Sequence, residues 1–199
     1  MISRQTNYLK GAITKMKRLF ASVISCVLIL SMICSGLTVF ATTITGAVDT
    51  DNFVRGVDVS TLDMLEDLGA RYYQNNVESD ALTILKNNGA NYVRLKLWVD
   101  PYDENGNPYG GGNNDYATTL ALARRAKNLG MGVLIDFHLS DFWTDPANQI
   151  KPKAWKDLSC SELKTTLYNY MKDTLNNFAA AGIVPEMVQV GNEISTVSY

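Results

Sequence analysis

The chain has 199 residues, 46% of them hydrophobic and 19% charged, with a formal net charge of −2. That balance supplies apolar material for one sizeable core and excludes disordered, collagenous and coiled-coil classes. Arg4, Lys10, Lys15, Lys17 and Arg18 all precede the first acidic residue, Asp49, so the remainder is acidic and offers no basic surface to nucleic acid.

The basic start leads into an apolar run over 19–34, and small residues then lead to Val39-Phe40-Ala41. This is the pattern of a signal peptide over 1–41 cleaved after Ala41, followed by a short linker over 42–52 and a folded portion over 53–199. The alternative is an uncleaved anchor, since 19–40 is long enough to span a bilayer. Ser22, Ser25, Ser31, Ser35 and Gly36 interrupt it and favour cleavage. The mature protein is then expected outside the cell, free of the membrane. Cys26 and Cys34 leave with the signal, so Cys160 remains alone and no intramolecular disulfide can form.

Beyond the leader, short apolar runs alternate with helical patterns. Residues 53–59 read as a first strand entering a loop at Ser60. A helix over 80–88 places Ala81, Leu82, Ile84 and Leu85 on one face and stops at Asn88-Gly89. Residues 92–98 form a second strand, broken by Asp100-Pro101. Asp115 caps a helix carrying Leu120, Ala123, Ala126 and Leu129, closed by Gly130. Residues 132–137 form strand three. Ser159 and Glu162 make a capping box for a helix with Leu163, Leu167, Tyr170, Met171, Leu175 and Phe178 along one stripe, stopped at Gly182. Residues 184–191 form strand four. Strands read as buried on both faces and separated by helices predict a parallel α/β sheet of right-handed βαβ units. Four units match strands 1 to 4 of a (β/α)8 barrel, the N-terminal half of a fold that takes about 250 residues. A truncated chain is therefore expected, with a small doubly wound sheet as the alternative.

In a barrel the carboxyl ends of the strands carry the chemistry. Strand one delivers Asp58, strand two Arg94, Lys96 and Trp98, strand three Asp136 and His138 followed by Asp141, Trp143 and Asp145, and strand four Asn192-Glu193. A plainer account makes Asp58 and Asp136 salt-bridge partners of Arg94 with no chemistry. One histidine and one mature cysteine leave no His/Cys metal centre, and no metal or cofactor is expected. Gly110-Gly111-Gly112 reads as a flexible loop without the Lys-Ser/Thr of a phosphate loop, and 103–108 as a turn. Tyr72-Tyr73 either lines a sugar site or packs beneath the first loop. A glycosidase needs a carboxyl that protonates the leaving oxygen and a polar neighbour that holds a sugar hydroxyl, which Asn192-Glu193 supplies. Trp98, Trp143 and Trp155 read as adjacent exposed aromatics that offer faces for sugars to stack on.

Gly56-Val57-Asp58-Val59-Ser60, the run from Asn91 to Trp98, the run from Asp136 to Pro146, Lys151-Pro152-Lys153-Ala154-Trp155 and Val188-Gln189-Val190-Gly191-Asn192-Glu193 resemble, in order, the blocks of family 53 glycoside hydrolases, secreted endo-β-1,4-galactanases acting on the galactan side chains of pectin. The resemblance implies Glu193 as acid/base, Asn192 as the residue holding the substrate hydroxyl, and Arg94 as the group orienting the nucleophile. It places Asp58, Asp136, His138, Asp141, Trp143, Asp145 and Trp98 in sugar-binding or site-supporting segments. It puts the nucleophile on the seventh strand and a calcium loop downstream, both beyond Tyr199, so the chain alone is expected to be inactive. A mannanase, a cellulase or an inactive sugar-binding remnant are the alternatives, because an Asn-Glu strand end serves any of them.

Overall fold

The computed structural model describes residues 53–194; the expected leader and linker, and residues 195–199, lie outside them. In chain order the elements are β1 (Gly56–Asp58), α1 (Leu62–Asp67), β2 (Tyr73–Gln74), β3 (Val77–Glu78), α2 (Ala81–Asn87), β4 (Tyr92–Leu97), α3 (Tyr116–Asn128), β5 (Gly132–Phe137), a 3-10 turn (Lys153–Trp155), α4 (Cys160–Ala180) and β6 (Met187–Val190). β1, β4, β5 and β6 form one parallel sheet in that spatial order. Spatial order therefore follows chain order without a reversal, which distinguishes the first half of a (β/α)8 barrel from a doubly wound sheet.

The helix boundaries follow from their caps. The Asp80 carboxylate accepts from the amide of Thr83 at 2.7 Å and that of Asp115 from Thr118 at 2.8 Å. Ser159 and Glu162 form the complete reciprocal capping box at the start of α4. Gly130 ends α3 with φ +66°, a conformation that a side chain disfavours.

Registration sorts the strand residues into two faces. Val57 pairs with Val93, Leu95 with Ile135, and Leu97 with Phe137. This face carries Val93, Leu95, Leu97, Val133, Ile135 and Phe137 into a core completed by Leu82, Leu122, Ala123, Ala126 and Phe178 from the helices. The opposite face carries Asp58 paired with Arg94, and Lys96, Asp136 and Gln189 paired across three strands. Both faces of β4 and β5 are largely covered, as expected, but they differ in character: one is aliphatic, and the other carries the charges.

Other differences are local. The first and fourth strands are shorter than 53–59 and 184–191, because only the stretches in ladder register with a neighbour remain extended. α1 and the β2–β3 hairpin were not expected. Leu62 is the buried residue that seats α1 on the core, but the segment is too short to show a helical period. The buried face of α3 also includes Thr119 and Leu122, turned slightly from the expected stripe. Tyr72 packs against the core, whereas Tyr73 is exposed.

Candidate active site

Arg94 is the centre of the charged face. Its Nη1 donates to Asp58 Oδ2 at 2.5 Å, its Nη2 to Asp136 Oδ2 at 2.5 Å and to Asn192 Oδ1 at 2.8 Å, and its Nε to Gln189 Oε1 at 3.3 Å. A planar fork of five N–H donors can serve four acceptors from three strands and their ends at once, and a lysine cannot. The salt-bridge network left open by the sequence is therefore present, and it is also what fixes Asn192.

Asp58 is held twice over. Its Oδ2 also accepts from Lys96 Nζ at 2.8 Å, and its Oδ1 accepts from the hydroxyl of Ser60 at 2.7 Å and from that residue's amide at 3.1 Å. Burial pushes the Asp58 carboxyl up, but the bonds from Lys96 and Ser60 outweigh it and hold the group below its ordinary value.

Asp136 and His138 are fully buried. The backbone amide of Thr144 donates to His138 Nδ1 at 3.2 Å, which assigns the neutral ring's proton to Nε2. Nε2 lies 3.0 Å from Asp136 Oδ2 but out of line for a hydrogen bond, and Asp136 Oδ1 has no partner among the described residues. Arg94 is thus the principal partner of a carboxylate shut away from solvent.

Asn192 is 4% exposed and clamped on all sides. Its Oδ1 accepts from Arg94, its Nδ2 donates to the Thr144 carbonyl at 2.6 Å, and its own carbonyl accepts from Gln149 Nε2 at 2.9 Å. Glu193 follows with φ +50°, in the left-handed region, and is exposed. A non-glycine residue there stores backbone strain of roughly 1 kcal/mol or more, which the clamp on Asn192 helps to hold.

The loop residues divide by what they touch. The Asp141 carboxylate accepts from the amides of Asp100 at 3.1 Å and Lys153 at 2.8 Å, joining two loops. Asp145 accepts from the amides of Ala147 and Asn148 at 2.7 and 2.9 Å and from the Asn148 side chain, whose bond draws its carboxyl below the ordinary value. Neither aspartate leaves a free carboxylate pointing into open space. The expected row of exposed tryptophans is corrected. Trp98 is 1% exposed and covered by Phe142, whose ring lies tilted across it with centroids 4.9 Å apart, and Trp155 is buried against Tyr170; Trp143 alone of the three presents a surface. Gln189, Thr144 and Gln149 were not singled out from sequence. The alternation Val188-Gln189-Val190 was the available signal for Gln189, since it places the amide on the face of Asp136.

Comparison with known proteins agrees with this architecture. Residues 54–197 match the model of Glycosyl hydrolase family 53, and the chain belongs to that family. It is 49% identical over 143 residues to the endo-beta-1,4-galactanase of Bacillus subtilis (strain 168), covering 71% of this chain and 33% of that one. It is 43% identical to the arabinogalactan endo-beta-1,4-galactanase A of Aspergillus niger, covering 71% of this chain and 39% of the relative. Among solved structures, the GH53 catalytic domain of Ignisphaera aggregans superimposes with a TM-score of 0.71 at 50% identity, over 74% of this chain and 41% of that one. The chain thus spans between a third and two fifths of the lengths of these relatives.

Proposed function

We propose that this chain supplies the acid/base side of a retaining endo-β-1,4-galactanase that is exported, with cleavage after Ala41, to act on β-1,4-galactan outside the cell. The observation that carries the reading is the clamp on Asn192 by Arg94 and Thr144 immediately before Glu193. A hydroxyl-binding amide helps a glycosidase only when it is fixed beside the proton donor, and this one is fixed from both ends. The galactanases of Bacillus subtilis and Aspergillus niger named above support the choice of polysaccharide.

In this reading Glu193 donates its proton to the departing glycosidic oxygen, then takes one from the water that hydrolyses the glycosyl-enzyme. The nucleophile is a second carboxylate about 5–5.5 Å away, as retention requires, and the reading assigns it to the seventh strand of the barrel. Asp58, Asp136 and His138 work behind Arg94 as positioning groups. Trp143 offers the stacking face, with Trp98 as its backing.

The test is hydrolysis by the full-length enzyme of galactan, mannan and carboxymethylcellulose under one set of conditions. Galactan is expected to be cut fastest. Equal or better turnover of either rival substrate rejects the assignment, and no turnover of any of them favours a sugar-binding remnant.

A further inference from the structure

The loops after β4 and β5 enclose a cleft of about 360 Å³ apart from the Arg94 cluster. Its size falls within the range of roughly 300–1,000 Å³ typical of small-ligand sites. Aromatic rings form its wall: Tyr109, Phe142 and Trp143 are 43%, 39% and 45% exposed, unusual for large apolar groups gathered in one place. Lys151, Lys153 and Lys156 line the same cleft against one carboxylate, Asp141.

These charges are not evenly matched. Asp141 spends its oxygens on the amides of Asp100 and Lys153. Lys153 is committed to structure: its Nζ lies 2.7 Å from Asp100 Oδ2 and donates to the carbonyls of Asp100 and Tyr102 at 2.7 and 2.8 Å. Lys151 and Lys156 have no acidic partner at ion-pair distance among the described residues. Two unmatched ammonium groups beside flat apolar rings, in a chain of net negative charge, fit a ligand that is itself flat on one side and anionic at another.

Trp143 joins this cleft to the strand cluster. Lys96 Nζ sits 4.6 Å from the centre of its ring. Gly111 lies beneath it with φ +66°, where a Cβ would come within 3.2 Å of the indole nitrogen. The ring is therefore held in place at the boundary between the two, and a polymer crossing it reaches both.

We infer that the cleft is a subsite for an acidic sugar: a uronate unit of the polysaccharide lies against Phe142 and Trp143 and turns its carboxylate toward Lys151 and Lys156. The inference rests on the polysaccharide reading above and adds that the substrate bears anionic units. The test is calorimetric binding of the full-length protein to β-1,4-galactotetraose, to the same oligosaccharide with one terminal C6 oxidised to a carboxylate, and to inorganic phosphate. The carboxylated ligand is expected to bind roughly fivefold more tightly than the neutral one, the size of a pair of partly screened surface ion pairs. The preference should vanish in Lys151→Gln/Lys156→Gln, return in Lys151→Arg/Lys156→Arg, and shrink in high salt. Equal binding of the two sugars overturns the inference and leaves the galactan reading standing, whereas binding of neither overturns both. A preference that survives the double Gln variant overturns the assignment to this cleft. Phosphate binding as tightly as the carboxylated sugar identifies a plain anion site and overturns the sugar.

Discussion

Arg94 donates to the side-chain oxygen of Asn192 at 2.8 Å although 98 positions separate them in the chain. The bond spans from β4 past β5 to the end of β6, so the placement of the residue before Glu193 depends on a strand two ladders away. That dependence makes the site sensitive to changes remote from the acid.

Replacing Arg94 by Met leaves Asp136 buried without its cation. Stranding one member of a buried pair costs about 3–5 kcal/mol, and we expect the low end because the Arg94 side chain is 27% exposed. Urea denaturation measures this directly. Arg94→Lys should recover part of the loss, since it restores the charge without the fork. A Met variant within about 0.5 kcal/mol of wild type would mean that the cluster is not structural.

Glu193→Gln keeps the shape and removes the proton. On galactan we expect turnover to fall at least ~10²-fold, the lower range for a positioned acid/base, with binding of galactotetraose largely kept. Substrates with good leaving groups should lose less in the first step, and azide should rescue the second. Near-normal turnover would demote Glu193 to a structural carboxylate.

The depressed Asp58 carboxyl gives stability a defined acid limb. A group lowered on folding contributes fully above its ordinary value of 3.8 and loses that contribution as pH falls through its lower folded value. Asp80, pushed up by burial but brought down further by Arg125 and Thr83, acts in the same window. Thermal melts should therefore weaken below about pH 4, and Asp58→Asn should flatten part of that slope while lowering stability at pH 7. An unchanged slope in the Asn variant contradicts the assignment.

Phe178 is fully buried in the core, in edge contact with Tyr116 at 5.0 Å. Phe178→Ala should cost about 3–5 kcal/mol. An exposed residue of the same helix, Tyr168, serves as the control: changing it to Ala should cost under about 0.5 kcal/mol. Equal losses at both positions would mean that α4 is not seated on the sheet.

Export can be read from the mature terminus. Protein secreted by its host should begin at Thr42, which N-terminal sequencing determines. A chain retaining residues 1–41 in the membrane fraction would favour the anchor.

The sequence carried the strand order and the helix caps because these signals are local. Asp80, Asp115 and the Ser159–Glu162 box each act within four residues of themselves. The run 132–137 was legible to the residue for the same reason: Gly130 stops the preceding helix, and β-branched residues follow. The charged face was only half legible. Arg94 and Asp136 stood out as charges in strands, but Gln189 looks ordinary until register sets it beside Asp136. Trp98 was misjudged because a tryptophan after a strand looks alike whether it faces solvent or is capped by Phe142, and that capping comes from a loop more than forty positions on.

The division of each strand into an aliphatic and a charged side also acts as a proofreading device for assembly. Slipping β4 by one residue against its neighbours would swing Val93 and Leu95 among Asp58 and Asp136, and would drive Arg94 and Lys96 into the layer of Leu82 and Phe178. Every such slip strands several charges at once. Misregistered pairings are thereby disfavoured electrostatically as well as by packing, and the residues that do this sorting are the ones that hold Asn192 in the native register.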